Sequence, residues 1–139
     1  MYQHIILAAD GSENAVRAAE EAVKIATYTE GSKIEVVMVA DFNKATADRL
    51  HTQSEDSLLL ERQRKIANVE HVLEGAGVPY TVTVLKGDPG PEIVRYVNDS
   101  RADLVVIGSR GLNSLQEMML GSVSHKVMKR VKCPALIVK

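Results

Sequence analysis

The chain has no tryptophan, one phenylalanine and one cysteine among its 139 residues. With aromatics at only 4%, its core cannot rest on large rings, and packing falls to Val, Ile, Leu, Ala and Met. A lone cysteine, Cys133, excludes an internal disulfide and suits a reducing compartment. The histidines His4, His51, His71 and His125 lack the spacing of zinc ligands. Charge of one sign is also missing. A formal net charge of −1 gives no field that would draw the protein to nucleic acid or to an anionic membrane surface. No apolar run is long enough to cross a bilayer, and Tyr2-Gln3-His4 leads straight into the first apolar run without a basic leader or export cleavage pattern. The expectation is a cytoplasmic protein without membrane or nucleic-acid partners.

What is present points to a folded globular chain, with 45% hydrophobic and 25% charged residues. The length suits one domain over residues 1–139. Ile5-Ile6-Leu7-Ala8-Ala9 is a continuous apolar run ending at Asp10-Gly11-Ser12, which predicts a strand buried on both faces and then a turn. From Glu13 to about Tyr28 the stripe Val16, Ala19, Val23 and Ala26 predicts a helix, stopped at Gly31-Ser32. A second strand runs from Ile34 to Ala40 and closes at Asp41. Residues 42–54 are polar and mixed, with no conformation to assign. Glu55 to about Glu74 is a charged helix with Leu59, Ile66, Val69 and Leu73 on one face, ended by Gly75-Ala76-Gly77.

Tyr80-Thr81-Val82-Thr83-Val84 alternates, which predicts an edge strand with one drier and one wetter face. Gly87-Asp88-Pro89-Gly90-Pro91 then turns into a helix from about Glu92 to Asn98. Leu104 to Ile107 is a fourth strand, a last helix carries Val127 and Val131, and Pro134 to Val138 is a fifth strand. Strict alternation of strands and helices predicts an α/β fold with a parallel sheet and helices on both faces. Such sheets bind ligands beyond the carboxyl ends of their strands, where the winding reverses.

The informative stretch is Gly108-Ser109-Arg110-Gly111, nine residues, then Gly121-Ser122-Val123-Ser124. Gly108 and Gly111 follow a buried strand, and Gly121 precedes the last helix with Ser122 as its expected N-cap. The first turn of that helix leaves the N–H groups of Ser122, Val123 and Ser124 without intrahelical partners, at the positive end of the helix dipole. Phosphate oxygens satisfy both needs. The hydroxyls of Ser109, Ser122 and Ser124 add donors, and Arg110 adds a charge for outer phosphates. Glycines in these places also serve as plain turn and cap residues, and the residues alone leave both readings open.

This Gly-x2-Gly-x9-Gly-Ser pattern, with the Ile6-Leu7-Ala8-Ala9-Asp10-Gly11-Ser12 start and the Cys133-Pro134-Ala135-Leu136-Ile137-Val138 finish, resembles the ATP-binding class of the universal stress protein family. The likeness runs from about Gln3 to Lys139, with residues 42–54 unmatched. The dinucleotide Gly-x-Gly-x-x-Gly and the P-loop Gly-Lys-Ser/Thr are both absent. The resemblance implies a five-stranded parallel sheet of order 3-2-1-4-5, adenine nucleotide alpha hydrolase-like, with a nucleotide cleft between the first and fourth strands. It implies ATP as ligand, a Mg²⁺ or Mn²⁺ ion held through the phosphates where one binds, and a homodimer. Ala8 and Asp10 would lie against the nucleoside, and Val39 near the adenine. Ile107, Gly108, Arg110 and Gly111 would follow the ribose and phosphates, with Gly121, Ser122, Val123 and Ser124 along the phosphate chain. Ala8 stands where members often carry Val or Pro.

Asp10, at the end of a buried strand, could orient a ribose or a metal-bound water, with an ordinary turn residue as its plain reading, and Asp41 reads at least as well as a solvated loop acid. Lys126, Lys129, Arg130 and Lys132 suit the end of a helix dipole better than a nucleic-acid patch. Cys133 reads as a small apolar residue without chemistry. The continuous apolar last strand would leave an open edge, which pairing with the same strand of a second copy over 134–138 would close. The functional expectation is a stress-response nucleotide-binding module that is not an efficient enzyme, since no residue plainly activates water against a terminal phosphate; slow ATP hydrolysis stays open. The alternatives are a nucleotide-free dimeric interaction protein of the same fold and a phosphoacceptor signalling domain using Asp88 and Lys132.

Overall fold

A computed structural model describes residues 2–10, 13–40, 55–109 and 121–139, the side chains of 55–63 and 65 excepted. In chain order the elements are β1 (His4–Ala8), α1 (Glu13–Thr27), β2 (Lys33–Ala40), α2 (Glu55–Ala76), β3 (Tyr80–Lys86), α3 (Pro89–Ser100), β4 (Leu104–Gly108), α4 (Ser122–Arg130) and β5 (Ala135–Val138). The five strands form one sheet of order β3-β2-β1-β4-β5, with every pair parallel. This is the adenine nucleotide alpha hydrolase-like arrangement.

β1 is central because its sequence is apolar on both faces. Ile5, Ile6 and Leu7 are fully buried, and removing each such side chain from water contributes about 1.5–3 kcal/mol. Alternation then divides the core. Ile5, Leu7 and Ala9 join Val36, Met38, Leu104 and Val106 beneath α1 and α2, where Ile66, Val69 and Leu73 of α2 are buried as the sequence predicts. On the other face Ile6 and Ala8 join Val37, Val105 and Ile107 beneath α3 and α4, through Ile93, Val97 and Val127. β3 is an edge strand as its alternation predicts. Its drier face is that of Thr83 and Leu85; Val82 and Val84 are more than a third exposed.

Three sequence expectations need correction. The buried face of α1 is Asn14, Ala15, Ala18, Ala19, Ala22 and Ala26, with Val16 and Val23 only partly buried at its margins. Alanines let the helix lie close to the sheet, and the bulkier valines are turned aside. α3 begins at Pro89 rather than Glu92 and ends at Ser100 rather than Asn98; proline fits a first helical position, where its missing N–H costs nothing. Val131 is the C-cap of α4, in extended geometry, not a helical residue. α2 ends where Gly77 takes φ +70, a left-handed conformation that favours glycine.

Candidate functional site

In this topology the chain winds from β1 through β2 to β3 on one side and returns to β4 and β5 on the other. The reversal lies between β1 and β4, whose register sets Ala8 against Ile107. Ala8 also pairs with Val37, so Val39, two residues on, stands level with Asp10. Ala8, Ile107 and the half-buried Val39 and Val123 all pack on the α3/α4 face. Asp10 is exposed at the end of β1 and has an interaction partner. The structure thus gathers Ala8, Asp10, Val39 and Ile107 at one carboxyl edge. Arg110 and Gly111, like Gly11, Ser12, Asp41 and the stretch 42–54, lie outside the described residues.

The two glycine clusters meet. The Gly121 N–H donates to the Ser109 carbonyl at 2.7 Å, which brings both ends of the excursion to the end of β4. Ser109 is itself fixed to the neighbouring strand, its N–H donating to the Val138 carbonyl at 2.7 Å. The N-cap of α4 is Gly121, with φ −63 and ψ 160, and not Ser122 as the sequence suggests. The reason lies in the first helical bond, given by the His125 N–H to the Gly121 carbonyl at 2.9 Å. The N–H groups of Ser122, Val123 and Ser124 therefore have no acceptor within the helix. They emerge beside Gly108 at the end of β4.

Ser124 departs from its expected role. It is only 3% exposed, and its hydroxyl donates to the carbonyls of Gly108, at 2.6 Å, and Ser109, at 3.0 Å. It fastens the first turn of α4 to the end of β4 through its side chain. Gly108 is close to α1, where a Cβ would meet the Cβ of Asn14 at 2.7 Å. Asn14 escapes the sequence reading altogether. Its signal was a polar residue four positions before Ala18 on the buried stripe. Its amide Nδ2 donates to the Ser109 hydroxyl oxygen at 3.4 Å, and Arg17 donates to its Oδ1.

A second polar group lies at the opposite end of the strands. The half-buried Glu35 carboxylate accepts from His4 at 2.8 Å, from Thr83 at 2.6 Å and from the Tyr96 hydroxyl. Desolvation disfavours its ionised form, but the hydrogen bonds from Thr83, Tyr96 and His4 outweigh that and hold its pKa below the ordinary value. Bonding to Glu35 in turn pushes the Tyr96 phenol up. Cys133 is half-buried, and desolvation raises its thiol pKa, which disfavours the reactive thiolate. Among the described residues no group of three or more His, Cys, Asp or Glu stands where it could hold a metal. No described helix is long and apolar enough to cross a membrane.

A phosphoacceptor arrangement does not form. Asp88 sits at the carboxyl end of β3, before α3. Lys132 lies beyond α4, before the start of β5, where its N–H bonds Asn98 near the end of α3. The two residues belong to opposite ends of the sheet. The strand order and the reversal between β1 and β4 are those that the family resemblance implies, and the whole chain matches one family model. The chain belongs to the universal stress protein family, with residues 1–139 matched.

Among its relatives is universal stress protein MJ0531 of Methanocaldococcus jannaschii, 33% identical over all of this chain and 83% of that protein. The solved structure of MJ0577 from the same organism superposes with a TM-score of 0.85 at 29% identity, covering 100% of this chain and 96% of that one. The universal stress protein of Archaeoglobus fulgidus in complex with dAMP shares the fold at a TM-score of 0.73 and 22% identity, covering 99% and 98% of the two chains.

Proposed function

We propose that the protein binds ATP, or a close adenine nucleotide, at the carboxyl edge of β1 and β4 and serves as a regulatory module in the stress response. One observation carries the reading. The Gly121–Ser109 hydrogen bond closes the glycine excursion at the winding reversal, directly beside three helix N–H groups that have no intrahelical acceptor. An anion there meets main-chain donors and the positive end of a helix dipole together. The small Ala8 and the apolar Val39 and Ile107, all on the α3/α4 face, offer a low wall suited to a nucleoside. A protein of the same fold solved with dAMP supports an adenine ligand.

In this reading Ala8 and Asp10 lie against the nucleoside and Val39 near the adenine. Ile107, Gly108, Arg110 and Gly111 follow the ribose and phosphates, and Gly121, Ser122, Val123 and Ser124 hold the phosphate chain through main-chain N–H groups. Mg²⁺ or Mn²⁺ enters with the nucleotide, bound through its phosphates. The protein works in the cytoplasm as one domain over residues 1–139 and as a homodimer through 134–138. It signals by binding and hydrolyses ATP slowly if at all.

The test is to denature purified protein, identify the small molecules released, and follow with equilibrium dialysis against labelled ATP, ADP and AMP. A released adenine nucleotide or saturable binding is expected. Protein that releases none and binds none of the three overturns the assignment.

A further inference from the structure

We propose that the Ser109 hydroxyl is a donor to the anionic oxygens of the bound nucleotide, and that Arg17 and Asn14 are positioning residues that set its polarity. The inference rests on the nucleotide reading above and deepens it: the sequence already offers the Ser109 hydroxyl as a donor, and the structure adds the residues that fix the direction of its proton.

The argument follows donors and acceptors along one chain of side groups. The Lys139 carbonyl only accepts, and it takes the Arg17 Nε–H at 2.8 Å. Arginine only donates, so the Asn14 atom facing its Nη2 must be the acceptor Oδ1. The amide of Asn14, only 8% exposed, is thereby fixed in one of its two orientations. Its Nδ2 faces the Ser109 hydroxyl at 3.4 Å and can only donate. The Ser109 oxygen accepts that bond, which leaves its own proton to be given elsewhere. No acceptor for that proton is found among the described residues.

The main chain of Ser109 is committed as well. Its N–H bonds Val138, and its carbonyl takes the Gly121 N–H and the Ser124 hydroxyl. Among the described residues, what it has left to offer is one hydroxyl proton, at the carboxyl edge beside the first turn of α4. The ligand chemistry that matches is an oxygen that accepts without donating, as a phosphate oxygen does at neutral pH. Ser124, by contrast, spends its proton within the protein.

Asn14→Asp gives the sharp test. An aspartate still takes the Arg17 bond but now accepts at both oxygens, so Ser109 donates to that carboxylate and not to the ligand. Calorimetric titrations with ATP and with adenosine are run on wild type, Asn14→Asp, Ser109→Ala and the double variant, each first checked for cooperative unfolding. Asn14→Asp and Ser109→Ala are each expected to weaken ATP by roughly 10-fold or more, with adenosine unchanged within about twofold. In the Ser109→Ala background, Asn14→Asp is expected to add little.

If Asn14→Asp costs as much without the Ser109 hydroxyl as with it, added charge alone explains the loss and the inference fails. Wild-type ATP affinity in Ser109→Ala also defeats it, as does an equal loss of ATP and adenosine. A wild-type protein that ignores ATP removes the nucleotide reading itself, and this proposal with it. Should Asn14→Asp fail to fold, Arg17→Met replaces it. That change frees the amide to turn over and is expected to weaken ATP several-fold while sparing adenosine; unchanged ATP affinity in that variant overturns the relay.

Discussion

Gly108 at the end of β4 and Asn14 in the first turn of α1 approach so closely that a Cβ on the glycine would sit 2.7 Å from the asparagine Cβ and 3.0 Å from its carbonyl carbon. Helix backbone cannot yield as a flexible side chain can. Gly108→Ala is therefore expected to destabilise the fold by about 1–3 kcal/mol, read from urea denaturation. Gly75→Ala is the control. Nothing lies within 4 Å of its added Cβ, and alanine in place of a helical glycine is expected to stabilise by about 1 kcal/mol. Equal effects of the two substitutions would contradict the close approach.

Gly121→Val separates ligand from fold. With φ −63 and ψ 160 the backbone at the N-cap accepts any L residue without strain, so the unfolding midpoint should shift little. The valine side chain would stand at the opening of α4, in the path of a phosphate. ATP affinity is expected to fall on the order of 100-fold, about 2.7 kcal/mol. Undiminished affinity in a folded variant would count heavily against the proposed site.

Glu35 predicts an acid-side dependence of stability. Its pKa in the folded protein lies below the ordinary value of 4.5 because bonds from Thr83, Tyr96 and His4 outweigh desolvation. A carboxyl so depressed favours the fold while it is ionised, and that contribution is lost as pH falls through and below the ordinary carboxylate range. The stability gap between wild type and Glu35→Gln should therefore narrow between about pH 7 and about pH 3.5. Urea unfolding of both proteins across that range measures it. A gap that stays constant would mean that the carboxylate is not held by these bonds.

The edge strand offers a test of self-association. The carbonyls of Pro134 and Val138 accept from Val105 and Ser109, so those residues turn toward β4, and alternation turns the main-chain groups of Ala135 and Ile137 outward. Ile137→Pro removes only an outward N–H from the β4 ladder's point of view. In analytical ultracentrifugation it is expected to convert a dimer to monomer while far-ultraviolet dichroism stays unchanged. A wild type that sediments as a monomer, or a variant that still sediments as a dimer, would overturn pairing through this strand.

The strands were legible because burial on both faces writes a continuous apolar run, as in Ile5-Ile6-Leu7, and burial on one side at an edge writes alternation, as in Tyr80 to Val84. The strand order came from the family likeness and not from any single residue. At the site, the sequence shows that Ser124 bears a hydroxyl but not that the carbonyls of Gly108 and Ser109 lie within its reach. It likewise shows Asn14 only as a polar residue near the start of a helix. Glu35 was illegible for a similar reason: His4, Thr83 and Tyr96 come from three separate elements, and only the assembled sheet and α3 bring them to one carboxylate. Weighting valine above alanine misplaced the buried stripe of α1, since the smaller residue is the one that permits close helix–sheet contact.

β1 finds one neighbour, β2, after a single helix, but it meets the other, β4, only when Ile5 pairs with Leu104. A chain emerging from the ribosome must therefore carry this buried central strand half covered until β4 has been made. Distant pairing of this kind slows folding and prolongs the interval open to aggregation. The carboxyl edge shared by β1 and β4 takes shape only after that late joining, so a ligand bound there meets a protein in which the two strands are already paired.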